Sequence, residues 1–351
     1  MSEQQYSLPQ LGWNSFFEKQ VTSGDLEAAE PARVTLTHRG HVVARTGAEE
    51  HLIPIADKGL LRLAEQPTVG DWLLLDKTTH LPVRLLERRS LFKRKAPGTD
   101  TKAQPIAANV DTLFIVSSCN QEFNLNRLER YLCLALDAGV EPVIVLTKAD
   151  TVGDPDEFRR QAETLWPGLA VRTVNGHDAA SVETLRHWCE PGRTVVLLGS
   201  SGVGKTTLLN TINGTDRYKT GAVREKDDKG RHTTTTRSLH IMESGALLVD
   251  VPGIRELHLY ECEEGIRLAF HDIVERAEQC RFADCGHRHE PGCAVTEALE
   301  SGCLDPRRVE NFQKLLEEAA EAAEALAEQR RKQRDRPRYK GMVSKKRKKR
   351  K

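Results

Sequence analysis

Gly199-Ser200-Ser201-Gly202-Val203-Gly204-Lys205-Thr206 fits G-x-x-x-x-G-K-[ST], the pattern of a phosphate-binding loop. The run before it, Arg193-Thr194-Val195-Val196-Leu197-Leu198, predicts a buried strand, and Leu208-Leu209-Asn210 after it opens a helix. Strand, loop and helix in that order are the context the pattern requires. The glycines let the backbone wrap a phosphate with its N–H groups turned inward, and the new helix adds partial positive charge. Lys205 is expected to reach the β- and γ-phosphates and Thr206 to ligate Mg²⁺ through its hydroxyl, with Thr207 completing the nucleotide-binding set.

Working outward, strands and helices alternate on both sides of this loop. Val110–Val116, Pro142–Leu146, Leu169–Val174, Arg237–Met242 and Ala246–Val249 read as strands. Asn126–Ala138, with Leu128, Tyr131, Leu132 and Ala135 on one face, and Val182–Cys189 read as helices. This alternation predicts a parallel sheet with helices on both faces.

The strand at Pro142–Leu146 runs into Thr147-Lys148-Ala149-Asp150, which resembles the guanine-recognition motif [NT]-K-x-D of GTPases. A carboxylate at Asp150 can accept from guanine N1–H and the exocyclic amine, whereas adenine would leave it poorly paired. The stem of Lys148 can lie over the base. Thr147 stands where Asn is commoner, which loses an amide that braces the loop. Asn175-Gly176 sits where a base-backing loop is expected. Asp250-Val251-Pro252-Gly253 resembles D-x-x-G: Asp250 would hold Mg²⁺ through water, and the Gly253 N–H would meet the γ-phosphate. Between the two phosphate motifs, Tyr218–Arg231 is polar and glycine-bearing, as a switch loop should be. Among the threonines after Arg231-His232, Thr234 is the one expected to close over Mg²⁺ and the γ-phosphate. The order is unusual, because K-x-D precedes the phosphate loop. The same sheet can form if the chain enters at a different strand, so the fold is expected to be circularly permuted with the D-x-x-G strand last.

Residues 31–90 carry five short strand patterns: Arg33–Thr37, His41–Arg45, His51–Ile55, Asp71–Leu75 and Pro82–Leu86. A small closed barrel is expected, of which the OB type is one candidate. Such a barrel binds single-stranded nucleic acid or is purely structural; Arg88-Arg89 and Lys93-Arg94-Lys95 beside it favour RNA. In residues 1–30, Leu8, Leu11, Trp13, Phe16 and Phe17 suggest a helix docked by its aromatic face. Cys280-x4-Cys285-x-His287-x5-Cys293 offers three thiolates and an imidazole, the donor set of a closed, structural zinc site, with His289 a nearby substitute. Glu264–Glu278 and a long segment from Asp305 read as flanking helices.

The chain has 351 residues, 38% hydrophobic and 29% charged, which describes a globular protein of two or three domains. No run of eighteen apolar residues predicts a membrane span, and Met1–Gln10 lacks an export pattern. A cytoplasmic monomer is expected. The net charge of +1 hides an asymmetry: residues 330–351 hold fourteen Lys or Arg and one Asp, a net +13, so the other 329 residues carry −12. Such a tail reads as an arm for nucleic acid.

The permuted order, the Arg231-His232-Thr233-Thr234-Thr235 switch, Asp250-x-Pro252-Gly253-Ile254-Arg255-Glu256, the Val69-Gly70-Asp71-Trp72 of the barrel and the cysteine cluster together resemble the RsgA/YjeQ family. The resemblance spans roughly residues 31–325. It implies a multidomain α/β protein with an extension at 1–30 and an OB-like barrel at 31–95. A circularly permuted P-loop GTPase domain then occupies 96–260, a helical zinc-binding domain 261–329, and a basic tail 330–351. It implies GTP and GDP as ligands, Mg²⁺ with GTP, one structural Zn²⁺ with His287 as its imidazole, and action on the small (30S) ribosomal subunit and its rRNA.

The position after D-x-x-G often carries Gln to orient the attacking water, but here it is Ile254. Catalysis must borrow another group, and His232 is the candidate; the rival reading has His232 contact RNA only. Two other functions stay open on the residues alone. One is an assembly factor using GTP as an affinity switch; the other, which Asp150 opposes, is a P-loop ATPase or kinase.

Overall fold

The protein is described from a computed structural model covering residues 5–95, 103–215, 236–250, 262–288 and 290–334. Thirteen strands lie among these residues. In the N-terminal part they are β1 (Ala29–Thr37), β2 (His41–Arg45), β3 (Glu50–Pro54), β4 (Trp72–Asp76), β5 (Pro82–Leu85), β6 (Leu91–Lys95) and β7 (Ala103–Ala108). The rest are β8 (Thr112–Ser118), β9 (Glu141–Thr147), β10 (Ala170–Thr173), β11 (Thr194–Leu198), β12 (Arg237–Ile241) and β13 (Leu247–Asp250). The α-helices are α1 (Ser15–Glu18), α2 (Ser23–Ala28), α3 (Lys58–Arg62), α4 (Leu125–Asp137), α5 (Pro155–Glu163), α6 (Ala179–Val182), α7 (Lys205–Asn213), α8 (Glu263–Ala269), α9 (His271–Ala277), α10 (Ala294–Glu300) and α11 (Pro306–Arg334).

Continuous apolar runs build the centre, as the sequence predicts. Every residue of β8 is buried, which a strand covered on both faces requires. The strands run parallel in the order β10-β9-β8-β11-β13, with β12 antiparallel at the end. The β11 strand, which enters the phosphate loop, therefore lies at the middle. The expected Val182–Cys189 helix is one short turn, α6, followed by a 3-10 segment from Glu183 to Cys189.

The five N-terminal strand patterns all form, within a few residues of the expected bounds. The order is β3-β2-β1-β4-β5, antiparallel throughout, with an irregularity in β1 between Val34 and Leu36. One face buries Ala32, Val34, Val42, Ala44, Ile53, Leu73 and Leu75. The other presents Trp72 and Leu74 to Leu11, Trp13 and Phe17 of the N-terminal extension, with Trp13 edge-on to Trp72 at 4.9 Å. The aromatic docking expected of residues 1–30 is thus what α1 and its neighbours do. No ladder joins β3 to β5 among the described residues, although the His51 and His80 rings stack at 4.5 Å and bring β3 to the β4–β5 turn.

Two features at the seam were not foreseen. First, β1 also pairs with β12, Leu36 opposite Ser238 and Thr37 opposite Arg237, so N-terminal and central strands form one eleven-stranded sheet. Second, β6 pairs with β7 across the expected boundary at residues 95 and 96. Gly70 lies against this hairpin at φ +88, where a Cβ would stand 2.1 Å from the Ala108 carbonyl oxygen. Only glycine fits there. The next residue, Asp71, is buried and accepts from Thr68 N at 2.7 Å and from Arg88 Nε and Nη2 at 2.8 Å. Burial pushes its carboxyl up, and Arg88 opposes that. Arg33 fills the junction, donating to the carbonyls of Leu11 and Asn109 and to the Thr194 hydroxyl. Burial brings its guanidinium down to about 9.

The helix expected over Glu264–Glu278 is broken into α8 and α9 at Phe270, whose ring turns into the core beside Phe312 at 5.4 Å. Helix α11 is fastened to α4 through Glu129, which has no solvent exposure. Glu129 accepts from Arg307 at 2.9 and 3.0 Å, from Arg308 at 2.8 Å and from Asn311 at 2.5 Å. Arg308 also meets Asp272 at 3.0 Å and lies over Phe270. A buried carboxylate is tolerable only when its lone pairs are satisfied in this way.

Candidate functional site

Parallel sheets bind ligands beyond the carboxyl ends of their strands. Both nucleotide motifs sit there. Gly199–Gly204 links β11 to α7, with Gly204 left-handed at φ +92 as it caps the helix. A side chain there is disfavoured by sterics alone. The first two N–H groups of α7 belong to Lys205 and Thr206, so both residues occupy the turn where orphan donors and helix dipole converge. Lys205 Nζ donates to the carbonyls of Gly199 at 2.8 Å and Ser200 at 2.5 Å, which holds the ammonium over its own loop. Ser201, Gly202 and Val203 form the turn between; the Val203 side chain is buried beneath it.

Thr147 ends β9, two strands from β11. Its hydroxyl lies 2.6 Å from the Val203 carbonyl and 3.1 Å from that of Ser117, at the end of the intervening β8. One hydroxyl has one proton, so the shorter contact is the donated bond. Without the amide of an asparagine, the shorter side chain reaches the phosphate loop directly. Lys148 follows in the left-handed region at φ +58, uncommon for a lysine, and turns the chain so that Asp150 stands exposed. The Thr151 hydroxyl donates to the Lys148 carbonyl at 2.8 Å and secures that turn. The Asn175-Gly176 loop closes the third side. Asn175 accepts from His177 N at 3.0 Å, and the Thr211 hydroxyl of α7 donates to the Gly176 carbonyl at 2.5 Å. Gly176 also lies beside the Thr207 methyl. Asp250 ends β13, adjacent to β11.

His232, Thr234, Gly253 and Ile254 lie outside the described residues. Arg127 of α4, which sequence reading did not single out, donates to the Ser200 hydroxyl and, at 3.3 Å, to Glu122. No local pattern marks it; only the adjacency of β8 and β11 brings α4 to the loop. A separate cavity of about 430 Å³, lined by Tyr6, Arg45, Glu50 and His240 among others, lies at the opposite end of the parallel strands and is no part of this site.

The cysteine cluster forms between α9 and α10. His287 Nδ1 lies 3.6 Å from the sulfurs of both Cys280 and Cys293, and those sulfurs are 3.9 Å apart. Cys285 completes a group whose four donor atoms lie within 4.8 Å of one another. A tetrahedron with Zn–S bonds of ~2.3 Å and Zn–N bonds of ~2.0–2.1 Å has edges of ~3.8 and ~3.6 Å, so three of the four donors already stand at zinc spacing. His287 adopts φ +57, Gln313 Nε2 donates to its carbonyl, and Glu290 accepts from Gly286 N and Arg288 N, which fixes the knuckle around it. Burial raises the Cys293 thiol, but hydrogen bonds from Thr296 and His287 outweigh it and hold it at about 6; burial pushes Cys285 up to about 11. Cys119, Cys133, Cys189 and Cys262 are free and buried in the core. Glu263 to Ala269 presses Cys262 onto the Cys133 carbonyl of α4, so these two serve packing.

Known proteins share this arrangement. A model described as RsgA GTPase matches residues 85–260. An ABC transporter model also matches residues 182–342, a span containing the phosphate loop common to both groups. A small ribosomal subunit biogenesis GTPase RsgA 2 of Vibrio parahaemolyticus is 50% identical over 324 residues, 92% of this chain and 88% of that one. A small ribosomal subunit biogenesis GTPase RsgA of Mesorhizobium japonicum is 46% identical over 322 residues, covering 89% and 90%. Among solved structures, YjeQ from Thermotoga maritima superposes with TM-score 0.61 at 27% identity, over 83% of this chain and 99% of that one. YloQ, a circularly permuted GTPase, superposes with TM-score 0.58 at 24% identity, over 85% and 96%, a likeness of fold.

Proposed function

The chain belongs to the RsgA GTPase family, and from that premise we propose that it hydrolyses GTP to GDP and phosphate during late maturation of the small (30S) ribosomal subunit. The observation that carries this reading is the bond between Thr147 and Val203, which puts a guanine-reading loop and a phosphate-binding loop in one rigid unit. An ATPase has no use for Asp150 at that place.

In this reading Asp150 accepts from the guanine edge, Lys148 covers the base, and Asn175-Gly176 backs it. The amides from Gly199 to Thr207 cradle the phosphates. Thr206 and Asp250 would hold Mg²⁺, which offsets charge on the β- and γ-oxygens. Lys205 leaves its loop carbonyls for the phosphates and stabilises charge developing in transfer. Gly253 and Thr234 close on the γ-phosphate, and His232 orients water in place of the side chain that Ile254 lacks. Cys280, Cys285, His287 and Cys293 would hold one zinc ion, which supplies a structural cross-link with no open coordination position.

The N-terminal strands are read as an OB-type barrel. Supporting this are the order β3-β2-β1-β4-β5, helix α3 between β3 and β4, and a long first strand shared by both halves. It is the surface for rRNA, aided by the basic tail, and the protein works as a cytoplasmic monomer with domains near the bounds given above. No helix among the described residues is long and apolar enough to cross a membrane. GTP hydrolysis measured with and without purified small subunits, against ATP as competitor, tests the reading. No hydrolysis in either condition, or equal use of ATP, would overturn it.

A further inference from the structure

Outside the nucleotide loops and the cysteine cluster, one other group of side chains among the described residues has the chemistry of metal ligands: Glu30 on β1, His51 on β3 and His80 in the turn from β4 to β5. One donor atom from each can be taken so that all three lie within 4.8 Å of one another. Glu30 Oε1 is 4.0 Å from His80 Nδ1, and the two imidazoles stack at 4.5 Å. Side chains alternate along a strand, so Glu30 shares a face with Ala32 and Val34, and His51 shares one with Ile53. Those apolar residues line the interior of the N-terminal sheet. The three polar groups therefore cap the end of an apolar core.

Two features of this cluster cost stability as it stands. The His51 side chain is 11% exposed, and its Nε2 is buried without a hydrogen-bond partner, with the Glu49 carboxylate 3.7 Å away. A buried nitrogen left without a partner forfeits its hydration and gains nothing in return. His80 adopts φ +53, a conformation better suited to glycine. Its turn is nonetheless tightly made: Asp76 accepts from Thr78 N, Thr79 N and the Thr79 hydroxyl, and His80 N donates to the Asp76 carbonyl at 2.8 Å. The turn thus fixes the His80 backbone, with its partly exposed imidazole stacked on His51, at a position where glycine would be easier. A ligand that takes the lone pair of His51 and the ring of His80 accounts for both.

We propose that Glu30, His51 and His80 form a second divalent metal site, of the zinc, cobalt or nickel class, at the end of the barrel. Two imidazoles and one carboxylate suit these ions, whereas Mg²⁺ and Ca²⁺ prefer all-oxygen sets. Bonds of ~2.0–2.1 Å require ligand separations near ~3.3 Å, so binding draws the donors inward. His80, 44% exposed, is the one with room to turn. Three protein ligands leave a place for water on its open side. Because the ligands come from β1, β3 and the β4–β5 turn, the ion ties the two halves of the sheet together where no ladder joins β3 to β5. The site is independent of the GTPase reading.

Co²⁺ titration of the full chain without nucleotide, its cysteine cluster already loaded with zinc, tests this. A further equivalent should bind with visible d–d absorption and no thiolate charge-transfer band, and Zn²⁺ should displace it. His80→Gly suits the backbone at that φ, so it should fold while binding the further equivalent at least tenfold more weakly; Glu30→Gln should do likewise. Both variants should keep the zinc of the cysteine cluster. Uptake of no further equivalent by the wild type, or undiminished uptake by His80→Gly, would overturn the assignment.

Discussion

The Thr147 hydroxyl and the Val203 carbonyl oxygen, 2.6 Å apart, join the Thr147–Asp150 loop to the Gly199–Thr206 loop through a single hydrogen bond. Fifty-six residues separate them in sequence, and β8 runs between their strands. Thr147→Val keeps the shape but removes the donor, leaving a carbonyl unpaired at about 1–3 kcal/mol. We expect weaker binding of GTP and GDP alike, read by equilibrium titration, with Thr147→Ser close to wild type. Unchanged affinity in Thr147→Val would mean the brace is dispensable.

Asp150 stands exposed after the left-handed Lys148. Asp150→Asn exchanges two acceptors for an amide and should lower preference for guanine nucleotides while admitting xanthine nucleotides. Competition among GTP, XTP and ATP reads this out. A variant that still rejects XTP and retains GTP would place the base elsewhere.

Removing Glu129 takes from Arg307, Arg308 and Asn311 the buried carboxylate they share. Loss of one partner from such a network costs about 3–5 kcal/mol. Glu129→Ala should therefore lower the denaturation midpoint sharply, more than Glu318→Ala, whose pair with Arg130 is about one-third exposed. Equal, small losses would show the junction to be held by apolar packing around Phe270 instead.

One equivalent of zinc should be found in anaerobically purified protein in addition to any ion held by Glu30, His51 and His80. Cys285→Ser should lose it, and amide exchange should then accelerate across residues 280–293 while β8, β9 and β11 remain protected. Protection unchanged at the knuckle would show the thiols to be ordinary core.

Because Ile254 cannot orient water, turnover by the free protein should be slow and the small subunit should stimulate it strongly. A group ordered in the transition state can be worth ~10³–10⁵ in rate. His232→Ala should abolish most of that stimulation with little loss of affinity for a non-hydrolysable GTP analogue. Full stimulation in single-turnover assays of His232→Ala would falsify its catalytic role.

The central sheet was legible because its signals are local. Apolar runs such as Val195–Leu198 and Val143–Leu146 can only be buried strands, and the phosphate loop announces its own strand and helix. The grouping of Cys280, Cys285, His287 and Cys293 was legible by spacing. What escaped reading depends on partners distant in sequence. Nothing near Arg127 points to Ser200, and the pairing of β1 with β12 joins residues two hundred apart through two short registers. Phe270 looked like one more apolar position on a helix, but its contact with Phe312 turns the chain there. The bond from Thr147 to Val203 likewise joins residues distant in sequence, and the shorter side chain of threonine reaches there without an amide.

The shared registers Leu36–Ser238 and Thr37–Arg237 also bear on how this protein can be cut or recombined. A chimaera with a foreign N-terminal sheet would need a first strand that serves three neighbours, as β1 does for β2, β4 and β12. A fragment starting after β5 would leave the outer side of β12 as a bare strand edge, a template for pairing with another chain. Self-association of that fragment would then belong to the cut and not to the native protein.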